Sequence, residues 1–295
     1  MKVVLFCGGL GMRMREYSES VPKPMVKIGY RPILWHIMKY YAHYGHRDFV
    51  LCLGWKGNVI KDYFLHYREE LSNDFVLTQG GGKIDLLASD IEDWKITFCD
   101  TGISSSIGER LHAVREHLDG EETFLANYTD GLCDVDLDQV VGFHRSRQSS
   151  ATFLSVRPTQ SFHSVIADED GRVRHIQDAH SGSLYINGGF FVLGQEIFEH
   201  LGPGRDIIDD ALSDLIQRQQ CFSMKYDGFW GCMDTYKEFQ ELQELHDRGP
   251  APWAVWEQSA AAAHHSNASS QPTSPPSSRG SRGGETPAWQ RAIPR

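Results

Sequence analysis

The sequence predicts an α/β protein built on a doubly wound, mostly parallel sheet. Short apolar runs of strand length alternate with amphipathic stretches of helix length through the first 156 residues. This alternation favours parallel strands joined by crossover helices that cover both faces of a sheet. Several of the strand-like runs end in glycine or aspartate. Because ligands of such sheets bind beyond the carboxyl ends of the strands, these residues indicate a binding crevice at that edge.

The individual elements follow from local patterns. The first apolar run, 3–7, is a strand that enters a group of glycines. The stretch 32–45 has apolar residues at helical spacing and ends at a glycine, which is typical of an amphipathic helix. The further predicted elements are strands at 48–54, 95–100, 123–131 and 151–156 and helices at 57–67, 107–118, 137–147 and 236–247. Residues 156–231 are less regular, so we expect a smaller, substrate-facing lobe there.

Composition excludes some classes of protein. The formal net charge of the chain is -10, and binding to a nucleic-acid backbone requires a basic face, so nucleic acid is not an expected partner. No apolar run reaches the roughly 18 residues that a membrane span requires. The six cysteines form no CxxC pair and no cluster with zinc spacing, which favours buried thiols in a reducing compartment. We therefore expect a cytoplasmic protein that does not bind membranes.

The chain divides into two parts by composition. Residues 1–258 carry the alternating elements and the apolar residues of a core. Residues 259–295 consist mainly of alanine, serine, proline, glycine and arginine, with almost no large apolar side chains. A segment of this composition does not bury enough surface to offset its loss of conformational entropy. We therefore expect a disordered tail after the globular domain.

The most informative stretch is FCGGLGMRMREYSESVPKPM, residues 6–25. The dinucleotide-binding pattern GxGxxG fails here, because Met14 stands at its third glycine and the second strand ends without an acidic residue. The P-loop pattern GxxxxGK[ST] is absent from the chain. A nicotinamide dehydrogenase is therefore disfavoured.

What remains is a GGxGxR pattern that is followed ten residues later by a lysine. It predicts a loop whose backbone N–H groups cradle a triphosphate. The residues of this nucleotide-binding loop are Gly8, Gly9, Leu10, Gly11 and Met12. Arg13 can neutralise pyrophosphate as it leaves, and Lys23 can reach the α-phosphate. The alternative is a surface turn with a solvated arginine and lysine.

With this stretch, the sequence resembles the sugar-phosphate nucleotidyltransferases, and most of all the glucose-1-phosphate cytidylyltransferases. Motifs similar to those of the family follow in its order: DTG at 100–102, GERL at 108–111, YTDG at 128–131, INGGFFV at 186–192, DGFWGCMDT at 227–235 and APWAVWE at 251–257. The resemblance covers nearly all of residues 1–257. It implies a Rossmann-like fold with a smaller sugar-binding lobe at 156–231. It also implies transfer of a nucleotidyl group from a nucleoside triphosphate to a sugar 1-phosphate, with release of pyrophosphate.

The resemblance assigns roles to charged residues. It implies that Arg13 and Lys23 handle the phosphates and that Asp130 and Asp234 hold Mg²⁺. Hard carboxylates that converge from different strands suit this ion. From the residues alone, the alternative for Asp130 is a turn residue before a glycine. The alternative for Asp234 is the N-cap of the last helix.

The resemblance also implies contacts with the substrates. The Thr101–Gly102 region would contact the nucleotide through its backbone, and Arg110 would contact the nucleotide or the sugar phosphate. Asn187 and Gly188 would line the sugar pocket. The alternatives are an exposed arginine in the first turn of a helix for Arg110 and a structural turn for Asn187.

The match to the family fails at one point. Related enzymes carry a Glu-Lys-Pro motif before the NGG stretch, and its lysine binds the sugar phosphate, but Ala179 stands at that lysine position here. We expect Arg157 and His163 to hold the phosphate instead, with Arg174 and His180 behind them and an unusual sugar or cyclitol phosphate as acceptor. A solvated loop histidine is the alternative for His163. The competing explanation is that turnover is lost and the protein is a non-catalytic nucleotide-sugar sensor.

Together, the sequence patterns and the resemblance predict a sugar-1-phosphate nucleotidyltransferase that uses Mg²⁺ and CTP. CTP follows from the resemblance to cytidylyltransferases. The same scaffold serves GTP, UTP and dTTP, so a different base is the alternative. We expect a homo-oligomer whose ligands are the nucleoside triphosphate and the sugar 1-phosphate.

Overall fold

A mixed sheet organises the part of the chain that the structure describes. This structure is a computed structural model, and it describes residues 1–9, 21–159, 163–178 and 184–257. The strands in these ranges are β1 (Val3–Phe6), β2 (Lys27–Ile28), β3 (Arg31–Pro32), β4 (Asp48–Leu53), β5 (Phe75–Thr78), β6 (Lys83–Leu86), β7 (Lys95–Asp100), β8 (Thr123–Tyr128), β9 (Gly131–Cys133), β10 (Ala151–Val156), β11 (His163–Ala167), β12 (Val173–Asp178), β13 (Ile186–Asn187), β14 (Phe191–Gly194), β15 (Cys221–Tyr226) and β16 (Trp230–Cys232). The α-helices are α1 (Ile33–His43), α2 (Gly57–Leu65), α3 (Ile107–Ala113), α4 (Leu137–Arg147), α5 (Ser213–Gln217) and α6 (Tyr236–Asp247).

The order of the strands explains where the ends of the strands lie. Across the sheet the order is β13-β10-β14-β8-β1-β4-β7, and β15 also pairs with β10. The strands β8, β1, β4 and β7 are parallel neighbours, and β15 is parallel to β10. β14 lies between β8 and β10 and is antiparallel to both. β10 therefore runs in the same direction as β8, and both end at the same edge of the sheet.

The predicted α/β fold class is confirmed, with one difference: β10 is not a direct neighbour of β8 in the sheet. The first four expected strands form the parallel half of the sheet in adjacent positions. The fifth, β10, is separated from β8 by β14, a strand that the sequence analysis did not predict. β14 is buried along its whole length. Because buried backbone groups must be hydrogen-bonded, a strand in this position is favoured between two partners rather than at an edge.

Helices cover both faces of the sheet, as the alternation of side chains along β1 requires. Val3 and Leu5 belong to one apolar core together with Ile37 of α1. Val4 belongs to a second core together with Leu111 of α3. All five side chains are at most 2% exposed. Each buried aliphatic side chain of this size stabilises the fold by roughly 1.5–3 kcal/mol relative to an exposed one.

Two exposed antiparallel hairpins lie outside the large sheet, and the sequence analysis did not predict them. One consists of β5 and β6, and the other of β11 and β12. All residues of β5 and β6 are exposed. Because the strand prediction relied on apolar runs that are buried, it did not detect strands on the surface.

Residues Met1–Gln258 form one compact unit, and the predicted tail at 259–295 lies outside the described residues. Within the described ranges, no helix combines the length and the apolar character that crossing a bilayer would require. The homo-oligomer and the cytoplasmic location stay predictions.

Candidate active site

Three loops leave the carboxyl ends of β1, β4 and β7 and pack closely against one another through glycines. These glycines, Gly8, Gly54 and Gly102, form a surface of main-chain atoms without side chains, which we call the glycine floor. Gly8 comes after β1, Gly54 directly follows β4, and Gly102 comes after β7. A Cβ atom added at Gly54 would lie 2.9 Å from the Cα of Gly8 and 3.1 Å from the carbonyl oxygen of Gly102. There is no room for a side chain at this point. The structure thus brings together the predicted Gly8 and Gly102, and it adds Gly54, which the sequence analysis passed over although a glycine at the end of the second strand was visible.

Arg110 lies beneath this floor and is 1% exposed. Its guanidinium donates to the carbonyl oxygen of Leu53 at 3.2 Å, to Thr101 Oγ1 at 2.8 Å and to the carbonyl oxygen of Ile103 at 3.2 Å. A Cβ atom at Gly8 would lie 2.0 Å from Arg110 Nη1. The alternative of an exposed arginine is therefore wrong. Burial lowers the pKa of Arg110, but arginine stays charged in proteins, so a positive charge underlies the glycine floor.

The loop after β7 is held by its own side chains. Thr101 Oγ1 donates to the carbonyl oxygen of Leu53 at 2.8 Å, and the Gly102 N–H donates to Asp100 Oδ1 at 3.2 Å. Gly102 has a φ of +92°, a conformation that favours glycine. The loop that is predicted to contact the nucleotide through Thr101 and Gly102 therefore has a conformation fixed by its own hydrogen bonds.

Lys23 lies between two carboxylates. Its Nζ is 2.7 Å from Asp130 Oδ2 and 2.5 Å from Asp234 Oδ1. The side chain of Lys23 is 15% exposed, whereas those of Asp130 and Asp234 are 30% and 28% exposed. Burial acts to lower the pKa of Lys23, but the two carboxylates outweigh it and leave this pKa above its ordinary value. Lys23 is therefore a charged ammonium group at neutral pH.

Prolines fix the turn that carries Lys23. Residues Lys23–Met25 form one turn of 3₁₀ helix, with Pro22 at its N-cap and Pro24 inside it. The fixed φ of proline favours the first turn of a helix. Met25 and Val26 then bury their side chains in the first core. The sequence KPMV thus anchors the lysine to the body of the protein on its carboxyl side.

A short ladder brings the two carboxylates together. β9 and β16 pair antiparallel with Gly131 opposite Cys232, and the Met233 N–H donates to the carbonyl oxygen of Asp130 at 2.8 Å. Asp130 directly precedes β9, and Asp234 follows the end of β16. Two aspartates that are distant in the sequence therefore meet because their strands are paired.

The N-cap of α6 is Thr235, not Asp234. Thr235 accepts from the backbone N–H of Glu238, and the Glu238 carboxylate accepts in return from the N–H groups of Asp234 and Thr235. This is a capping box. The alternative of Asp234 as the N-cap is therefore wrong, and its carboxylate contacts Lys23 instead.

The donor atoms beside Lys23 suit a hard divalent cation. Carboxylate oxygens of Asp130 and Asp234 and the thiol of Cys232 all lie within 4.8 Å of one another. Burial raises the pKa of Cys232 far above its ordinary value, and the nearby carboxylates raise it further, so the thiol is protonated while no cation is bound. The two carboxylates supply oxygen ligands, which Mg²⁺ prefers. Cys232 was not among the predicted residues, because a lone cysteine in a strand gives no indication of its neighbours.

The predicted sugar-pocket residues have partners within the protein. Asn187 Nδ2 donates to the Tyr128 hydroxyl at 3.3 Å, and Asn187 Oδ1 accepts from the Gly189 N–H at 2.9 Å. The carbonyl oxygen of Gly188 accepts from Trp230 Nε1 at 2.9 Å. A Cβ atom at Gly188 would lie 2.8 Å from Val156 Cγ1. Close packing against Val156 is therefore sufficient to explain why a glycine is required at position 188, whether or not a sugar binds there.

The two predicted phosphate-binding cations have different surroundings. Arg157 Nε donates to Asp227 Oδ1 at 2.9 Å, and its Nη2 donates to the Tyr185 hydroxyl at 3.3 Å. His163 is exposed at the start of β11, in a hairpin separate from the large sheet, and stands opposite Asp178. The structure therefore sets Arg157 in a polar cluster at the end of β10, whereas the alternative of a solvated histidine stays open for His163.

Several predicted residues lie outside the described ranges. They are Leu10, Gly11, Met12, Arg13, Ala179 and His180. Their contributions to the phosphate loop and to the sugar side of the crevice stay predictions.

Comparison with known proteins shows the family and the fold of this chain. Residues 2–245 match a family described as nucleotidyl transferase. A glucose-1-phosphate cytidylyltransferase of Salmonella typhi is 38% identical over 259 residues, which cover 87% of this chain and 100% of the relative. Solved structures share the fold. A UDP-glucose pyrophosphorylase complexed with UDP-glucose gives a TM-score of 0.62 at 18% identity, over 84% of this chain and 98% of that one. HddC from Yersinia pseudotuberculosis complexed with GMP-PN gives 0.58 at 19% identity, over 82% and 98%.

The family match spans the glycine floor, Lys23 and both aspartates, and the similarity to the cytidylyltransferase covers 87% of this chain. The chain therefore belongs to the nucleotidyl transferase family.

Proposed function

We propose that the protein transfers the cytidylyl group of CTP to a sugar 1-phosphate. An oxygen of the sugar phosphate bonds to the α-phosphorus, and the bond from this phosphorus to the oxygen bridging to the β-phosphate breaks, which releases pyrophosphate and yields a CDP-sugar. The observation that carries the proposal is the meeting of Lys23 with Asp130 and Asp234 at 2.7 and 2.5 Å. Such reactions depend mainly on positioning and on neutralisation of charge. The similarity to the Salmonella typhi cytidylyltransferase supports CTP and a hexose 1-phosphate.

Mg²⁺ is the cofactor of this proposal, held by Asp130 and Asp234. Lys23 and the two carboxylates together carry one net negative charge, which suits a divalent cation. The bound ion would supply charge neutralisation for the triphosphate.

The chain's own groups then bind and orient the triphosphate. Backbone N–H groups at Gly8 and Gly9 face it directly, because a floor without side chains allows close approach. The buried charge of Arg110 makes the potential above this floor more positive. The Lys23 ammonium group stabilises charge on the α-phosphate. Arg13 is proposed to neutralise the departing pyrophosphate.

A second cationic cluster is suited to the acceptor. The guanidinium of Arg157 and the ammonium group of Lys225 lie 5.1 and 4.9 Å from the centre of the Tyr185 ring. Lys225 and Asn187 both stand opposite Ser155, in neighbouring strands. Cross-strand partners project from the same face of a sheet. Lys225, which the sequence analysis did not consider, therefore shares a face with the predicted sugar-pocket residue.

This cluster stands at the edge of the sheet where Asp130 stands. β10 and β15 both end at the carboxyl edge, since each is parallel to β8 in direction. β10 is the second strand from β8, which corresponds to a lateral distance of about 10 Å. We propose that Arg157 and Lys225 bind an anionic group of the acceptor and thereby replace the lysine that is absent at position 179.

The test is release of pyrophosphate by the purified full-length protein with Mg²⁺. CTP, GTP, UTP, ATP and dTTP are each combined with glucose 1-phosphate, mannose 1-phosphate and a cyclitol phosphate. We expect turnover with CTP and at least one acceptor, and none for the Asp234→Asn variant, which keeps the size of the side chain but removes its charge. Turnover with a different nucleotide alone would refute CTP. Binding of CTP without pyrophosphate release from any pair would instead support a non-catalytic sensor.

A further inference from the structure

The connection between β16 and α6 consists of residues 233–235, and each of its backbone N–H groups has an acceptor. The Met233 N–H donates to the carbonyl oxygen of Asp130 at 2.8 Å. The N–H groups of Asp234 and Thr235 both donate to Glu238 Oε2, at 2.9 and 2.7 Å. The connection is therefore held from one side by Asp130 and from the other by Glu238.

The two contacts of Glu238 fix the backbone of Asp234. One N–H belongs to the peptide group before the Cα of Asp234, and the other belongs to the peptide group after it. The soft rotations of a residue are φ and ψ, which turn these two peptide groups. Because both N–H groups are directed at one oxygen atom, these rotations are restricted, and so is the direction of the bond from Cα to Cβ. The Asp234 carboxylate therefore leaves the chain in a defined direction.

The contact with Asp234 goes beyond what the helix requires. In a capping box, the third helical residue accepts from the N–H of the N-cap, which here is Thr235. The Thr235 hydroxyl completes the box, since Thr235 Oγ1 accepts from the Glu238 N–H at 3.3 Å. Asp234 precedes the N-cap, so its N–H is not one of the groups that the capping box satisfies. This additional bond from Asp234 to Glu238 holds the loop rather than the helix.

Glu238 is buried and lies outside the candidate cation site. It is 7% exposed, and a buried carboxylate is costly unless hydrogen bonds compensate for its lost hydration. Among the residues that the structure describes, the ligating atoms within 4.8 Å of one another belong to Asp130, Cys232 and Asp234. Glu238 is not part of this cluster and contacts it through the backbone of Asp234.

The position of Asp234 matters because the candidate cation site needs two carboxylates side by side. Lys23 Nζ lies 2.7 Å from Asp130 Oδ2 and 2.5 Å from Asp234 Oδ1. Two carboxylates this close to a shared cation repel each other, which favours their separation whenever the backbone permits it. A fixed backbone keeps Asp234 beside Asp130. It also removes conformational freedom that would otherwise be lost when a cation binds.

We propose that Glu238 is a positioning residue of the cation site, which holds Asp234 so that both carboxylates are preorganised for a divalent cation. This inference rests on the proposed function, in which Asp130 and Asp234 hold Mg²⁺. Residues that orient metal ligands typically change the affinity for the metal 10–100-fold when they are replaced.

The test is binding of Mn²⁺ to the purified full-length protein, without nucleotide or sugar phosphate, followed by the electron paramagnetic resonance signal of the free ion. Mn²⁺ binds to the same oxygen ligands as Mg²⁺. Glu238→Asp keeps the charge but is one methylene too short to reach both N–H groups, and it should raise the Kd for Mn²⁺ roughly tenfold. Glu238→Gln loses the charge but keeps an oxygen acceptor at the same distance from the backbone. It should restore nearly the wild-type Kd.

Matched variants separate positioning from helix capping and from charge. Thr235→Ala removes the capping hydroxyl but leaves both N–H groups that contact Glu238, so it should lower the Tm without changing the Kd for Mn²⁺. Glu241→Ala removes an exposed carboxylate from the same helix and should change neither Kd nor fold. A rise in Kd for Thr235→Ala equal to that for Glu238→Asp would mean that the effect is one of capping. A rise for Glu238→Gln but not for Glu238→Asp would assign it to charge, and either result would overturn the proposal.

The remaining outcomes also decide the question. An unchanged Kd in Glu238→Asp, with the circular dichroism spectrum of the wild type, would show that Glu238 does not position a ligand. Absence of Mn²⁺ binding by the wild type would overturn this inference together with the role of Mg²⁺. Failure of pyrophosphate release with every pair of substrates would refute the proposed function alone, because Mn²⁺ binding is measured without turnover.

Discussion

Replacing Lys23 by methionine should destabilise the protein and nearly abolish its activity. The change removes two hydrogen bonds between an ammonium group and carboxylates, at 2.7 and 2.5 Å. Hydrogen bonds to charged groups contribute about 1.5–3 kcal/mol each when buried. Because both carboxylates are nearly one-third exposed, water replaces part of this interaction, and we expect a loss of roughly 2–4 kcal/mol. This corresponds to a fall in Tm of about 5–15 °C for a domain of this size.

The assay combines thermal unfolding with steady-state kinetics. Without Lys23, Asp130 and Asp234 face each other with no positive charge between them, so Mg²⁺ should raise the Tm of the variant more than that of the wild type. The rate of pyrophosphate release should fall by about 10²–10³, as when one charge-stabilising donor is removed from an active site. Lys27→Met is the matched control, since Lys27 is an exposed lysine of β2.

Two results would contradict this reasoning. An unchanged Tm of Lys23→Met in the absence of divalent cations would mean that the ion pairs contribute nothing to stability. An equal effect of Mg²⁺ on variant and wild type would mean that Lys23 and the cation do not share the two carboxylates.

Four further substitutions test the glycine floor, a buried histidine and the acceptor cluster. Gly54→Ala places a Cβ 2.9 Å from Gly8 Cα; it should raise the KM for CTP and cost about 1–3 kcal/mol in urea unfolding, as overpacking does. Burial holds the pKa of His36 at about 4, below its unfolded value, so its contribution to stability is complete above about pH 6.5 and is lost as the pH falls toward 4. Wild type should therefore lose about 1.4 kcal/mol more than His36→Gln between about pH 7.5 and 5.5, measured by urea unfolding. Arg157→Met and Lys225→Met should each raise the KM for the sugar phosphate roughly tenfold with little change in the KM for CTP.

Controls make these three tests specific. Gly142→Ala, at an exposed position of α4 with nothing within 4 Å of the added Cβ, should be neutral or stabilising, unlike Gly54→Ala. Equal pH dependence of wild type and His36→Gln would show that His36 is not the group that titrates. Arg218→Met removes an exposed arginine from the turn after α5. If Arg218→Met raised the KM for the sugar phosphate as much as Arg157→Met does, the effect would come from the net charge of the protein and not from a binding contact of Arg157.

The local patterns located most elements of the sheet because they depend on the burial of side chains. The helix expected at 137–147 is α4, Leu137–Arg147, and the last helix is α6, Tyr236–Asp247. The strand β14 and the two exposed hairpins were missed for opposite reasons. β14 lies in a segment where the pattern is irregular, and the hairpins have no buried face that the pattern could indicate.

For the candidate site, the sequence by itself determined which residues are unusual. A glycine loop after the first strand, a lysine between two prolines and aspartates at strand ends are all visible without coordinates. These features depend on backbone conformation and on charge, which are properties of single residues and their neighbours. They were sufficient to indicate phosphates as ligands.

Only the tertiary structure decided which of these residues meet. It buried Arg110 beneath Gly8, gave the N-cap of the last helix to Thr235, and joined Asp130 to Asp234 through the pairing of two short strands. Such contacts depend on strand order and on the packing of segments that are distant in the chain, and these are consequences of the whole fold rather than of any local pattern.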